Sequence, residues 1–259
     1  ICCKSKKSIK VKIFNKPPYT EPKYKISNYF RQLYKCKVCG HFTNISKVNM
    51  NKIYESDYSN VSYGADLWKR LQKIFNLKKK SDNFHRTNRF LKRYKNFHKS
   101  KKFSVLDIGT GFGLFLYALK LKNKNWKYYG IEPNMNNVNF IKKKLKIKTT
   151  RDFIEKIKLK KKFDVITFNK VLEHTKNPLL VLKKIKKNLK RNGEIYLELP
   201  DGTAASKIGY SREEFFIDHY YVFSKKSLTL LIKRAGYEIM DIKKIREPSG
   251  KFTLFAFIK

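Results

Sequence analysis

The residues best suited to bind a charged small molecule lie in one short segment, residues 105–113, which reads VLDIGTGFG. An apolar run carries Asp107, and glycines follow at Gly109, Gly111 and Gly113. Glycines between a strand and a helix let a ligand approach the backbone, and the helix N-terminus offers N–H groups. The order G-x-G-x-G differs from the dinucleotide fingerprint G-x-G-x-x-G. Asp107 disfavours a pyrophosphate there and favours a ligand with an amino group and a sulfonium.

A second acid, Glu132, follows the apolar residues 129–131. A carboxylate at the tip of the next strand can accept hydrogen bonds from both hydroxyls of a ribose. Enzymes that bind NAD use the same arrangement, so Glu132 alone does not identify the ligand. Together with Asp107 and the shorter glycine spacing, it favours S-adenosylmethionine.

The elements that must position these residues alternate from Phe103 onward. Short apolar runs predict seven strands, at 103–108, 127–131, 147–149, 163–168, 194–199, 237–245 and 252–258. Helices are expected at 114–121 and 134–145, after Asn177-Pro178, and after Ser224. Gly193 and Gly236 would follow the ends of the last two helices.

This alternation predicts an α/β fold with a doubly wound, Rossmann-like sheet of seven strands. No helix separates the last two strands, so we expect them to pair antiparallel. The residues predicted to bind S-adenosylmethionine would then lie in a domain covering residues 101–259. Residues 1–50 form a small Cys-containing module, and residues 51–100 form a helical connector.

The connector contains two features. Tyrosines at Tyr54, Tyr58 and Tyr63 precede an apolar stripe at helical spacing, formed by Leu67, Leu71, Ile74 and Phe75. We expect the stripe to pack against the main domain.

Residues from about 100 to 259 resemble the class I S-adenosylmethionine-dependent methyltransferases, in the group with a Val-Leu-Glu-His motif after the fourth strand. Here the motif is Val171–His174, and the segment His219–Ser224 is also similar. The resemblance implies that Asp107 and the three glycines border the methionine end of the cofactor and that Glu132 holds the ribose. It also implies a set of further cofactor contacts, namely Asn169 and Lys170 beside the sulfonium and Asp152 beside the adenine.

Two histidines, His174 and His219, are candidate general bases for the methyl acceptor, because neutral imidazole takes up a proton near physiological pH. A buried His174 that only fixes the loop after strand four is an equal alternative. Glu173 as a metal ligand near the substrate is disfavoured by the sequence. Catalysis by positioning alone is a further possibility, since a sulfonium is already a good leaving group.

All four cysteines precede residue 40, which favours metal binding in a reducing compartment over a disulfide scaffold. Cys36-x-x-Cys39-Gly40 is half of a four-Cys zinc site, and similar methyltransferases of sugars and natural products carry such a module. Cys2 is the expected third ligand, paired with a cysteine just before Ile1. The alternative is a hairpin without metal.

The formal charge is +41, from 61 Lys and Arg against 20 Asp and Glu. Such a chain attracts polyanions, but the excess is spread along the whole sequence, which favours a compositional origin. Lys78–Lys102 is the densest basic stretch. No apolar run is long enough for a membrane span.

The sequence therefore predicts methyl transfer from S-adenosylmethionine to a small or mid-sized acceptor such as a sugar or glycan precursor, on oxygen rather than carbon. The basic surface supports an alternative, an RNA or ribosomal-protein methyltransferase. A non-catalytic scaffold that binds the cofactor is the third possibility. The cofactor and the thiols favour a cytoplasmic location.

Overall fold

The computed structural model describes residues 2–24, 26–50, 53, 61, 63–156 and 158–259. Tyr54 and Tyr58 lie outside these residues. The strands are β1 (Ser8–Phe14), β2 (Arg31–Cys36), β3 (Phe42–Ser46), β4 (Ser104–Ile108), β5 (Lys127–Glu132), β6 (Lys148–Arg151), β7 (Phe163–Asn169), β8 (Leu189–Pro200), β9 (Tyr221–Val222), β10 (Ile239–Arg246) and β11 (Phe252–Ile258). The α-helices are α1 (Leu67–Asn76), α2 (Asp82–Arg93), α3 (Leu114–Lys122), α4 (Met135–Phe140), α5 (Pro178–Ile185), α6 (Gly202–Ala205) and α7 (Lys225–Arg234).

Seven strands form one mixed sheet in the order β10-β11-β8-β7-β4-β5-β6. Strand β4 runs parallel to both β5 and β7, and β5 runs parallel to β6. Strand β11 is antiparallel to both β8 and β10. The predicted doubly wound sheet and its antiparallel last strands are therefore confirmed.

Helix starts follow the predicted capping residues. Asn177 caps α5 through its side chain, with Pro178 in the first turn. Ser224 caps α7 in a capping box with Ser227, so two backbone N–H groups at that end have partners. The helix expected at 134–145 is shorter, because α4 ends at Phe140 and a π-helical turn, Ile141–Leu145, follows.

Strand β8 begins five residues earlier than its prediction, at Leu189 rather than Glu194. Gly193 therefore lies inside the strand and does not follow the end of a helix. A Cβ at Gly193 would lie 3.0 Å from the carbonyl oxygen of Phe163. A glycine is needed here because two backbone segments approach each other closely. The sequence alone does not distinguish such a glycine from one that follows the end of a helix.

A second sheet was not predicted. It has four strands in the order β1-β2-β3-β9, all paired antiparallel. Strand β9 comes from residues 221–222, far along the chain from the other three. Side chains beside this sheet form a buried apolar cluster of Leu33, Phe42, Ala205, Phe215 and Val222.

The chain divides into two compact units. Unit 1 comprises residues 1–50, 170–187 and 195–259, and unit 2 comprises residues 51–169 and 188–194. In unit 2, Phe90 on α2 packs edge-on against Phe115 of α3 and Trp126 before β5. Within the described part of the chain, no helix is both long and apolar enough to cross a lipid bilayer.

Unit 1 contains a fully buried arginine, Arg31. Its guanidinium stacks 3.8 Å from the ring centre of Phe14 and donates to the carbonyl of Phe215 at 2.6 Å. It also pairs with buried Glu21, which accepts hydrogen bonds from Tyr29 Oη and the Ile217 N–H. Burial raises the pKa of Glu21, and these partners oppose that shift. Arg31 thus compensates the negative charge of the buried Glu21 carboxylate and links β2 to residues 215–217.

Replacing Arg31 by Met should lower the free energy of unfolding by about 3–5 kcal/mol, because Glu21 would remain buried without its cation. The measurement is urea denaturation at neutral pH. The double variant Arg31→Met/Glu21→Gln should recover part of the loss. Arg93→Met, which breaks the part-exposed pair between Arg93 and Glu194 in unit 2, is the control and should cost at most about 1 kcal/mol. Equal losses in the two single variants would contradict this account.

Candidate functional site

The glycine-rich loop of unit 2 connects β4 to α3, as its sequence predicts. Gly109, Gly111 and Gly113 all have positive φ, at 64°, 57° and 82°. A Cβ at Gly113 would lie 2.9 Å from the side chains of both Ile141 and Leu145, so only glycine fits without displacement. The loop therefore keeps a backbone conformation that brings its N–H groups close to a ligand.

Tyr63 lies against this loop. Its hydroxyl oxygen is 3.0 Å from the position that a Cβ on Gly111 would occupy, and its ring lies 4.8 Å from that of Phe112. Sequence reasoning placed Tyr63 in a Tyr-rich stretch but not at the site. Tyr63 is far from the loop in sequence, and no local sequence pattern indicated that the two are in contact.

Asp107, near the end of β4, is buried. Its Oδ1 accepts hydrogen bonds from Thr167 Oγ1 at 2.5 Å and from Asn169 Nδ2 at 2.8 Å, both on β7. Burial raises the pKa of Asp107 to about 6, although these hydrogen bonds act in the opposite direction. Asn169 Oδ1 is buried without a hydrogen-bond partner in the described part of the chain. A ligand with an N–H donor and a positive charge fits this combination of carboxylate and amide oxygen.

Glu132 ends β5 and is also buried. Its Oε2 accepts from the Gly111 N–H at 2.9 Å, and its Oε1 accepts from Asn134 N and Asn137 Nδ2 at 3.1 and 3.2 Å. Burial raises the pKa of Glu132 to about 7. A carboxylate offers about four lone-pair positions, so three donors leave capacity for a ribose hydroxyl.

Asp152 follows β6 and lies beside the backbone of Glu132. Its N–H donates to the Glu132 carbonyl at 3.3 Å, and its Oδ1 accepts from the Phe153 N–H at 2.7 Å. Unit 2 thus contains seven of the eight expected cofactor contacts, on strands or loops at the carboxyl ends of parallel strands: Asp107, Gly109, Gly111, Gly113, Glu132, Asp152 and Asn169.

Lys170, the remaining expected contact, belongs to unit 1. It has a positive φ of 58°, and its backbone N–H donates to the carbonyl of Glu198 at 2.9 Å. Its ammonium donates to Thr253 Oγ1 on β11 at 2.6 Å. A role for its side chain at the sulfonium stays a prediction.

The two candidate bases lie close together in unit 1. The rings of His174 and His219 have centres 4.7 Å apart. His174 Nδ1 lies 2.8 Å from the carbonyl oxygen of Asp218, and His219 Nδ1 lies 2.8 Å from that of Glu214. A carbonyl only accepts, so each Nδ1 carries the proton and each Nε2 carries the lone pair. Burial lowers the pKa of His219, which favours its neutral form.

A thiol cluster occupies the turn between β2 and β3. The sulfur atoms of Cys3, Cys36 and Cys39 lie within 4.8 Å of one another. Burial alone would raise the pKa of Cys36, but the N–H groups of Cys39 and Val38 lower it below its ordinary value. Gly40, with φ +69°, donates its N–H to the Cys36 carbonyl and closes the turn.

Cys2, the ligand expected from the sequence, lies outside this cluster. Its sulfur is buried 3.6 Å from His41 Nδ1, and burial raises its pKa to about 12. Adjacent residues point their side chains in different directions, so Cys2 and Cys3 do not both contact the Cys36–Cys39 turn. The structure places Cys3 there.

Comparison with known proteins decides the family. The family model of a methyltransferase domain matches residues 71–242, which is more than half of the chain. The chain belongs to this methyltransferase family. No curated protein matches the methyltransferase at the sequence level.

Solved structures share its fold. One is the plantazolicin methyltransferase BpumL in complex with a monoazolic desmethylPZN analog and SAH, with a TM-score of 0.58 and 16% identity over 81% of this chain and 96% of that one. Another is magnesium protoporphyrin IX methyltransferase from Synechocystis PCC 6803 with bound SAH, with a TM-score of 0.60 and 15% identity over 82% and 100% of the two chains. Family and fold together make the chain a class I S-adenosylmethionine-dependent methyltransferase.

The affinity of the methyltransferase for S-adenosylhomocysteine should fall about tenfold or more between about pH 8 and pH 5.5. The pKa values of Asp107 and Glu132 are raised to about 6 and about 7, so both carboxylates become protonated as the pH falls through this range. The ligand's ribose and ammonium groups prefer the ionised forms. Calorimetric titration across this range measures the effect.

Glu132→Gln should bind more weakly at pH 8 and lose the part of the pH dependence that is centred near 7. Asp241→Asn, a change of a partly exposed acid on β10, is the control and should behave as the wild type does. An affinity that is flat with pH in the wild type would contradict the assignment of these two carboxylates.

Proposed function

We propose that the methyltransferase transfers its methyl group to a hydroxyl oxygen of a small or mid-sized acceptor such as a sugar or glycan precursor. The observation that carries this proposal is the pair of histidines in unit 1, His174 and His219. Backbone carbonyls hold both Nδ1–H groups, so both rings present Nε2 lone pairs. A hydroxyl, unlike an amine that is already neutral, must lose its proton during the transfer, and such lone pairs can help to remove it.

S-adenosylmethionine supplies a methyl group on a sulfonium, which leaves as a neutral thioether. In this proposal Asp107 and Asn169 orient the methionine end of the cofactor, and Glu132 holds its ribose. Asp152 lies beside Glu132, where it can border the base. Bound S-adenosylmethionine would supply the methyl group for the acceptor oxygen, and an Nε2 lone pair of His174 or His219 would take up the hydroxyl proton. Holding both reactants in line supplies much of the acceleration.

The solved structures with this fold are named for several kinds of acceptor. They include the plantazolicin and porphyrin methyltransferases and the glycopeptide N-methyltransferase MtfA, complexed with sinefungin, with a TM-score of 0.53 and 12% identity over 67% of this chain and 85% of that one. Their named substrates differ, so the preference for a sugar rests on the resemblance in the sequence.

Replacing His219 or His174 by Gln should lower kcat about 100-fold or more, because the variant lacks one of the two imidazoles proposed to accept the hydroxyl proton. The affinity for S-adenosylhomocysteine should stay within about twofold, since the cofactor contacts are unchanged. The assay is transfer of labelled methyl groups to a panel of hydroxyl-bearing sugars. His98→Gln, at an exposed histidine of unit 2, is the matched control. Wild-type protein that binds the cofactor but methylates no acceptor would favour the scaffold instead.

One observation favours a second acceptor, a polyanion such as RNA. A cavity of about 720 Å³ in unit 2, beside β5 and β6, has six lysines in its lining: Lys142, Lys146, Lys148, Lys158, Lys160 and Lys161. Phosphates would bind this surface and release counterions, so the affinity would fall with salt. RNA binding that persists at physiological salt, together with methylation of that RNA, would favour this acceptor over a sugar.

We also propose a structural zinc ion at the Cys3–Cys36–Cys39 cluster. Three sulfurs at these separations match the close approach that tetrahedral zinc requires of thiolates. The four cysteines are free thiols, in accord with a reducing location such as the cytoplasm.

The thiol cluster should hold about one zinc per chain, and Cys3→Ala should lose that ion, so its zinc content should fall by about one per chain relative to the wild type. Cys2→Ala should keep its zinc, because the Cys2 sulfur lies against His41 rather than in the cluster. Atomic emission after dialysis measures the metal. The opposite pattern, with zinc lost only from Cys2→Ala, would restore the ligand set expected from the sequence.

A further inference from the structure

Glu173 is the most unusual acid in unit 1. Its side chain has 0% exposure, and neither carboxylate oxygen has a hydrogen-bond partner in the described part of the chain. An ionised carboxylate in that position is costly unless a cation or several donors compensate it. The fold therefore holds a buried pair of acceptor oxygens that a cation would stabilise.

Two histidines lie beside this carboxylate. One ligand atom from each of Glu173, His174 and His219 lie within 4.8 Å of one another. Both imidazoles are mostly buried, at 14% and 13% side-chain exposure. Three side chains of the types that bind metal ions thus lie close together, and one of them, Glu173, is buried without a hydrogen-bond partner among the described residues.

The orientation of the imidazoles also fits a metal. Histidine ligands usually donate the second ring N–H to a carbonyl or carboxylate, which fixes the tautomer and directs the other nitrogen to the ion. Here the Asp218 and Glu214 carbonyls hold the two Nδ1–H groups. Nε2 therefore has the lone pair in both rings. Asp218 adds a further buried carboxylate, whose Oδ2 is 3.8 Å from His174 Nδ1.

We propose that Glu173, His174 and His219 bind one divalent first-row metal ion through a carboxylate oxygen and two Nε2 atoms. Two histidines and one carboxylate leave coordination positions open for water or a substrate oxygen, as in catalytic metal sites. The site is separate from the thiol cluster, which has sulfur ligands and suits zinc.

Metal binding at this site does not depend on the proposed function. Only the role of the metal in catalysis rests on it. A hydroxyl bound to the ion loses its proton more easily, because the metal stabilises the resulting oxyanion. The histidines would then act on the acceptor proton through the ion rather than by accepting it themselves. No electron transfer is involved, and the released proton goes to solvent.

The test is titration with Mn²⁺, which carboxylate and imidazole bind well and which thiolates do not favour. Loss of the electron paramagnetic resonance signal of free Mn²⁺ reports binding. Wild-type protein should bind one Mn²⁺ per chain. Glu173→Gln and His219→Gln should each weaken that binding by about 100-fold or more, since loss of even a supporting residue costs 10–100-fold. His98→Gln should bind as the wild type does.

Glu173→Gln has nearly the same shape as the native side chain, and circular dichroism checks that it folds. Mn²⁺ should raise the Tm of the wild type but not that of Glu173→Gln. Absence of Mn²⁺ binding in folded wild-type protein, or equal binding by Glu173→Gln, would overturn the metal site. Titration with S-adenosylhomocysteine in the same samples reports separately on the cofactor site, so failure of the proposed function is distinguishable.

Discussion

Burial of two carboxylates at neighbouring strand ends is the constraint on which the cofactor end of the sheet depends. Asp107 and Glu132 are both buried, and each needs donors to stay in place. The donors come from β7 for Asp107, and from the glycine loop and the start of α4 for Glu132. Satisfying the two acids therefore aligns three parallel strands and two loops. The same hydrogen bonds prepare the surface that receives the cofactor.

The N-terminal strands position the histidine cluster in unit 1. The Arg31 guanidinium and the Asn44 side chain donate to the carbonyls of Phe215 and Phe216. Buried Glu21 accepts from the Ile217 N–H, and the Asn44 N–H donates to the Tyr220 carbonyl. These contacts hold the backbone on both sides of His219. Residues that the sequence suggested only for a zinc module thus fix a segment that carries a candidate catalytic group.

Net charge is a poor guide to the chemistry of this methyltransferase. The excess of 41 positive charges comes mostly from lysines that remain solvated, whereas the groups able to bind or react are buried acids and histidines. Burial changes the proton affinity of Asp107 and Glu132 far more than distant surface charges, which salt screens. The lysines beside β5 and β6 are an exception because they surround a cavity.

The sequence by itself determined the doubly wound sheet of seven strands, the antiparallel pairing of its last two strands and the positions of the glycine loop, Asp107 and Glu132. These features depend on local patterns: apolar runs, caps and glycines, which act over a few residues. Only the tertiary structure decided that β9 completes the N-terminal sheet, that Tyr63 lies on the glycine loop and that Cys3 rather than Cys2 joins Cys36 and Cys39. It also showed that Glu173 is buried without a hydrogen-bond partner among the described residues. Each of these depends on contacts between residues far apart in sequence, or on which way a side chain points, and no local pattern records either.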